Sequence, residues 1–421
     1  VATLENILEA LGTNLKDFFS EDEDEQIVFS KDDFFENIQG DIDIMGKRLL
    51  FLTTWDFSDG PSTGITKKIK SQIKVFLKQG YEVDYTYISD NYVWIYEKGI
   101  RHKIGKTKIG RKFSANLYLA NYFRDKRYDF VYNRYGLSDP FFLSLLKRLH
   151  ENGCTIVVEI PTYPYDREKQ SGLLWDILFK IDKIYRVKMN GVVDRIYTYS
   201  EDNQIWGIPT ICSSNGIDFD LVSIRKVEKK RESINLIAVA GLAKWHGYDR
   251  ILRGMGEYYK EGEKREVQFH IVGEGSPIEE YKRIVEKYEI AEHVIFYGLK
   301  TGRELDSIYD QCSIGVENLG FHRTGVYRAS TLKAREYAAK GLPFITSLKL
   351  DIFENEKFVL HVPADESNID VNEIVAFYDE LYLNKDAQEL ARNIREKAKS
   401  ICDICVTMLP VIEYFKSKEN K

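Results

Sequence analysis

Nowhere in its 421 residues does the sequence hold an apolar run approaching the roughly 18 residues that cross a bilayer. No secretory signal opens it either, so the expectation is a cytoplasmic protein, at most peripheral at the inner face of the plasma membrane. Cysteine is scarce: five are scattered along the chain, which suits a reducing compartment. Cys402 and Cys405 form a lone CxxC in an apolar, helix-like tail. With no second pair to complete a zinc site, they read as packed thiols. Basic charge is not in excess. A formal net charge of −6 argues against wholesale nucleic-acid binding. What remains is ample for folding, with 43% hydrophobic and 30% charged residues. The length suggests two or three domains.

The first 44 residues differ from the rest. In "VATLENILEALGTNLKDFF", Leu4, Ile7, Leu8 and Leu11 recur at helical spacing before Gly12. This stretch resembles the closing helices of the DNA-binding domain of Xre-type bacterial repressors, without that domain's recognition helix. The next segment, Ser20 to Asp43, carries ten acidic residues against one lysine and would repel phosphate. Met45 is followed by "GKRLLFLTTW", which reads like the start of an enzyme. Residues 1–44 are therefore expected to be an appended segment or fusion remnant, serving as a handle for interaction or self-association.

From Met45 onward, short apolar runs alternate with amphipathic helical patterns. Arg48 to Thr54 has strand character; a helical pattern from Ile65 to Lys78, a stop at Gly80 and the strand "YEVDYTYI" follow. Strands are also expected at "FVYNRY", "TIVVEI" and "RIYTYS". The pattern breaks at 217–233, a region of turn residues and charge expected to be a linker. A second series then begins: "INLIAVAG", helix Tyr248–Tyr259, "VQFHIVG", helix Ile278–Tyr288, "VIFYG", helix Gly302–Asp310 and "SIGVE". Such alternation predicts α/β domains with mostly parallel sheets, at 45–216 and 234–405, and a final helix at 406–421 that packs back on the first domain. Ligands of open α/β sheets sit at the carboxyl ends of the strands, so loops of both domains are candidates for a shared cleft.

Four motifs in order make the reading specific: "SSNGIDFD", "AGLAKWHGYDRIL", "FHIVGEGSPIEEY" and "LKAREYAAKGLPFI". With them the chain from Met45 onward resembles a retaining glycosyltransferase of family 4. The resemblance implies a GT-B fold of two Rossmann-like domains. It also implies transfer of a hexose-type sugar from a UDP- or GDP-linked donor to a glycan or lipid-linked acceptor, in bacterial surface polysaccharide synthesis. No metal or other cofactor is expected. In such enzymes the departing phosphate is thought to help deprotonate the acceptor, which requires no protein nucleophile. This agrees with the lack of a convincing Ser-His-Asp or Cys-His constellation.

A diphosphate leaving group calls for helix N-termini, Gly-rich loops and cations. Ser330 is placed to N-cap a helix starting near Thr331, with Thr331 and Leu332 in its donor-facing first turn. Lys333 is expected on phosphate. Glu336 shares its face and can accept both hydroxyls of a ribose. The bland reading of this spacing is a surface ion pair. The family's E-x7-E pattern places Glu336 second, but its first position holds Arg328. Glu317, Asn318, His322 or backbone amides near Gly325 are candidate replacements at the donor sugar. Leu242 and His246 stand where the family often has Arg and Lys, leaving Lys244 as the leading replacement cation and His246 as a second candidate. Arg250 reads equally as a solvated helix charge.

Gly273 and Gly275 of the Val-Gly-x-Gly loop, and Gly60 and Gly64 of "DGPSTGI", would let backbone approach the donor closely. Glu159, Thr162 and Tyr163 are weaker candidates for the transferred sugar or acceptor. Asp218 in "DFD" is expected to order a turn rather than bind metal. Between Arg101 and Arg127 lie nine Lys/Arg residues and a single acid, Asp125, a charge bias that suits an anionic membrane surface. Two other readings stay open: a catalytically degenerate nucleotide-sugar-binding regulatory or scaffold protein, and a nucleotide-sugar epimerase.

Overall fold

The computed structural model describes residues 46–58, 64–107, 111–165, 173–227, 233–260, 262 and 264–419. The expectations for residues 1–44 and for Gly60 lie outside the described residues. The chain forms two compact units, one running to Ser213 and resuming at Met408, the other Ser214–Thr407. Both are α/β.

The first unit is a nine-stranded sheet ordered β4-β3-β2-β1-β5-β6-β7-β9-β8. Its strands are β1 (Arg48–Leu52), β2 (Glu82–Ser89), β3 (Tyr92–Glu97), β4 (Ile100–Lys106), β5 (Phe130–Arg134), β6 (Thr155–Ile160), β7 (Arg195–Thr198), β8 (Gln204–Ile205) and β9 (Ile208–Cys212). The centre is parallel, and β1 reads as a continuous apolar run because Leu49, Leu50 and Phe51 are wholly inaccessible. Helices α1 (Gly64–Lys78), α2 (Arg111–Tyr122), α3 (Pro140–Glu151) and α4 (Leu173–Arg186) belong to this unit.

One edge departs from the expected pattern. β2, β3 and β4 form an antiparallel meander. Its turns are Asp90-Asn91 and Lys98-Gly99, all four at positive φ. Such two-residue turns match the twist of paired strands. β4 begins the basic segment 101–127, and several of its cations cover rings of the same sheet. Arg101 lies 4.7 Å from the Trp94 ring and Lys103 3.6 Å from that of Tyr92. Lys126 donates to Glu97 at 2.5 Å.

In the second unit the sheet is wholly parallel, ordered β12-β11-β10-β13-β15-β17. Along the chain come β10 (Ile234–Val239), α5 (Tyr248–Lys260), β11 (Val267–Val272), α6 (Ile278–Lys287), β12 (Val294–Phe296), α7 (Gly302–Gln311) and β13 (Ile314–Val316). Then follow β14 (Arg328–Ala329), α8 (Leu332–Ala339), β15 (Phe344–Thr346), β16 (Lys349–Leu350), β17 (Val359–His361), α9 (Val371–Tyr382) and α10 (Ala387–Cys402). The last helix, α11 (Ile404–Glu419), sends Phe415 into the first unit's core, 4.7 Å from the Phe130 ring centroid.

The expected linker, 217–233, is at its described residues a packed part of the second unit. Phe219 is buried there, and the buried guanidinium of Arg225 donates to the carbonyls of Gly341 and Cys312 and to Tyr382 Oη. Its turn-rich composition reflects a chain crossing many carbonyl ends, not a free spacer. All five cysteines are unpaired by disulfide, and Cys402 is buried while Cys405 is exposed.

Candidate functional site

The carboxyl ends of the second unit's strands lead into loops held together by glycine. β10 and β11 continue into backbone that crosses so closely that a Cβ on Gly273 would stand 1.8 Å from Ala240 O, and one on Gly275 1.9 Å from Leu242 O. Both glycines are thus required by chain crossing, and the Gly273 amide already donates to Gly298 O at 2.8 Å. A second crossing joins the loop before α5 to the one after β13. Gly247 has φ +67°, and its Cβ would meet Gly320 N at 2.6 Å. Gly247→Ala is therefore expected to destabilise the protein by more than about 1 kcal/mol, measured as a lowered urea midpoint with unchanged slope.

These crossings bring α8 to the site. Its N-cap is Thr331, whose hydroxyl accepts from Ala334 N. Ser330, expected in that role, is held elsewhere: its hydroxyl donates to Asp351 Oδ2 at 2.7 Å and accepts from Asn215 N at 3.1 Å. The cap shifts by one residue because Asp351, from a later segment, and Arg335, on α8 itself, claim the serine. Arg335 is fully buried. It donates to Ser214 Oγ, Ser330 Oγ, the Thr331 carbonyl, the Asn215 carbonyl and both oxygens of Asp351. The "SSNG" turn is thereby fastened to the start of α8. The Asp351 carboxyl stays below its usual range despite burial, because Arg335 and the two serines bind its charged form.

Capping by Thr331 leaves the amides of Leu332 and Lys333 outside the helical ladder, at the positive end of the helix. Lys333, half-buried, donates from Nζ to Tyr248 Oη at 3.0 Å and to Asn318 Oδ1 at 3.2 Å. Desolvation lowers its pKa to about 8, only partly opposed by the charges of Glu317 and Glu336. Glu336 is half-buried on the same helix face. His246 is buried and stacks on the Tyr248 ring at 5.5 Å. Its Nδ1 accepts from Ala243 N at 3.0 Å, which places the ring proton on Nε2. Burial and the nearby Lys333 charge push its pKa down to about 3, so it stays neutral near pH 7.

Several sequence candidates have other partners. Glu317 is wholly buried, and its oxygens accept from Asn318 N, Asn318 Nδ2 and Thr346 Oγ1 at 2.6, 2.8 and 2.9 Å. It holds Asn318 in place rather than reaching a sugar. His322 Nε2 pairs with Glu366 Oε1 at 2.8 Å. Gly325, at φ +73°, ends the turn Phe321–Thr324, and its amide donates to His322 O at 2.9 Å. Lys244 is exposed and lines a cavity of about 260 Å³ with Asp249, Arg253, Pro277, Tyr281 and Arg323. Arg250 is not a solvated charge. It is fully buried and donates to the carbonyls of Ser367, Leu319 and Pro363.

In the first unit, Gly64 opens α1. Glu159 has no solvent exposure and accepts from Arg134, Gln72 and Tyr199 at 2.8, 3.1 and 2.7 Å. That network keeps its pKa lowered against the desolvation that opposes it, and marks a core ion pair. Thr162 is exposed, and Tyr163 packs edge-on to Trp206 at 6.3 Å. Asp218 caps the turn at Phe219–Leu221 by accepting from Asp220 N. Among the described residues no group of three His, Cys, Asp or Glu is arranged to hold a metal. None of the described helices is long and apolar enough to cross a membrane.

Sequence reasoning missed Tyr248 and Arg335. The first looks like an ordinary core aromatic, and the second like a solvated charge beside Glu336. Only the "SSNG" motif, which needed an anchor, hinted at the arginine.

Comparison with known proteins bears on the fold. Residues 222–347 match the family model described as glycosyl transferases group 1. A search of curated proteins found no match. Among solved structures, the chain is similar to sucrose-phosphate synthase from Thermosynechococcus elongatus, with a TM-score of 0.61 and 14% identity, covering 88% of this chain and 98% of that one. HepE from Anabaena, in complex with UDP, matches at 0.59 and 12%, covering 88% and 100%. WaaG, a glycosyltransferase of lipopolysaccharide biosynthesis, matches at 0.55 and 13%, covering 88% and 98%. HepE has also been solved with UDP-glucose. The chain has the GT-B fold, and its residues 222–347 are similar to the group 1 glycosyltransferases.

Proposed function

We propose that this GT-B chain is a retaining, metal-independent hexosyltransferase. It takes a hexose from a UDP- or GDP-linked donor and passes it to a glycan or lipid-linked acceptor in surface polysaccharide synthesis. The reading rests above all on α8: a capped N-terminus, Lys333 held by Tyr248 and Asn318, and Glu336 one turn on. The first-turn amides and Lys333 suit the diphosphate. Glu336 suits the ribose diol, and the neutral His246 offers Nε2–H as a further donor. The similarity to HepE, solved with UDP and UDP-glucose, supports a nucleotide-sugar donor. The basic segment 101–127 would add attraction towards an anionic surface near the acceptor.

The test is calorimetric titration of UDP and of GDP into wild type and into folded Glu336→Ala. One nucleotide is expected to bind, and the substitution to weaken it by about 1.5–3 kcal/mol, the range for hydrogen bonds to a charged group. Equal binding by both proteins would reduce Glu336 to half of a surface pair. Tight binding without turnover on any acceptor would favour the degenerate, regulatory reading, for which Arg328 and the buried Leu242 at customary motif positions are the support.

A further inference from the structure

The cavity that Lys244 lines is highly charged, yet it favours neither sign. Three cations, Lys244, Arg253 and Arg323, stand against three carboxylates, Asp249, Glu280 and Glu366. Pro277 and Tyr281 complete the wall. Part of the charge is paired within it. Arg323 donates to both oxygens of buried Asp249 and to Glu366, and Arg253 also meets Asp249 at 2.9 Å. The rest is loosely held. Glu280 stands 4.0 Å from Arg253, beyond hydrogen-bond reach, and Lys244 Nζ has no partner among the described residues. Tyr281 supplies the decisive group. It is 1% exposed, and its hydroxyl has no hydrogen-bond partner among the described residues. The nearby amide of Tyr248 can only donate, so the phenol proton lacks an acceptor. Buried hydroxyls are normally paired, and this one belongs to the wall of a polar cavity.

We propose that this cavity binds one pyranose ring of a saccharide, at a site separate from α8. No residue of α8 lines it, and all of its lining lies in the second unit. Charge selects the ligand class. An anion would meet three carboxylates and a cation three basic groups, whereas a sugar hydroxyl both donates and accepts. Adjacent ring hydroxyls donate to the two oxygens of Glu280 and accept from Lys244, and Tyr281 donates its proton to another. The volume agrees. About 260 Å³ lies below the range of about 300–1,000 Å³ for drug-sized ligands and suits a single ring. The proposal rests on the cavity alone and holds whether or not α8 takes a nucleotide.

Saturation-transfer NMR on the full chain would use D-glucose, D-galactose and N-acetyl-D-glucosamine as probes. At least one should bind, both without nucleotide and with UDP and GDP in excess. Tyr281→Phe keeps the ring and removes the hydroxyl. It should weaken that sugar about five- to tenfold, the worth of one hydrogen bond. Its thermal melt should be unchanged or higher, since the hydroxyl removed was unpaired. Glu280→Ala should weaken the sugar to a similar degree and leave the melt and nucleotide titrations as in wild type, because Glu280 makes no close ion pair. Inorganic phosphate, the probe for a simple anion site, should not displace the sugar. Binding of none of the three sugars would overturn the proposal. Displacement by phosphate would assign the cavity to an anion instead, and displacement by nucleotide would place the sugar at the donor site. Unchanged affinity in either variant would likewise sink it.

Discussion

Lys333→Met should lower the transfer rate by about 10²–10³-fold, the usual cost of losing one group that stabilises charge developing in the transition state. Its ammonium is held by Tyr248 and Asn318, with Glu317 holding Asn318 in turn, and is the cation placed beside the free first turn of α8. Nucleotide binding should fall less than the rate, because charge on the leaving diphosphate grows during bond breaking. Tyr248→Phe removes one anchor and should cost less than Lys333→Met. The pH profile carries a second signature. Lys333 is charged below its lowered pKa of about 8 and loses its proton as pH rises through it. In the free enzyme kcat/KM should therefore decline above about pH 8, and this limb should vanish in Lys333→Met. His246, with its pKa pushed down to about 3, is neutral throughout and contributes no limb between pH 5 and 8. A flat alkaline limb in wild type would remove Lys333 from the chemistry.

Asp351→Ala should destabilise the fold by about 3–5 kcal/mol, because it leaves the buried Arg335 guanidinium without its counter-ion. Urea unfolding with an unchanged slope is the measurement. Removing both charges, in Arg335→Met with Asp351→Leu, should recover part of that loss, since an apolar pair of similar volume avoids the desolvation penalty. The double variant should nonetheless bind nucleotide poorly. Arg335 fastens Ser214 and the Asn215 carbonyl to the start of α8, so its loss frees the turn that positions the first-turn amides. Stability restored together with full nucleotide affinity would show that the "SSNG" turn is not needed to position α8. The Asp351 carboxylate, held below its usual range, supports the fold at neutral pH. That contribution is lost as acidification protonates it, so the double variant should be less acid-sensitive than wild type.

What the sequence determined by itself was whatever depends on local periodicity. The alternation of apolar runs with 3.6-residue patterns was enough for α5, α6 and α7 to within one residue at most ends. The "LKAREYAAKGLP" stretch placed Lys333 and Glu336 on one face, because helical spacing needs no tertiary information. The β3–β4 meander was missed although its signal was present. Asp90-Asn91 and Lys98-Gly99 are two-residue turns between strand-like runs, and an expectation of parallel strands passed over them. Tertiary structure alone decided who partners whom. Ser330 and Thr331 are equally good caps on paper. The choice fell to Asp351, on a later segment, which binds Ser330 together with Arg335 of α8 itself. Glu159, Glu317 and Arg250 all look available as charges in the sequence, but each is buried and has partners at least 25 residues away along the chain, Arg134, Thr346 and Leu319 among them. A buried charge must find such partners, and their identity depends on which loops cross at Gly247, Gly273 and Gly275, a matter of packing that no local pattern encodes.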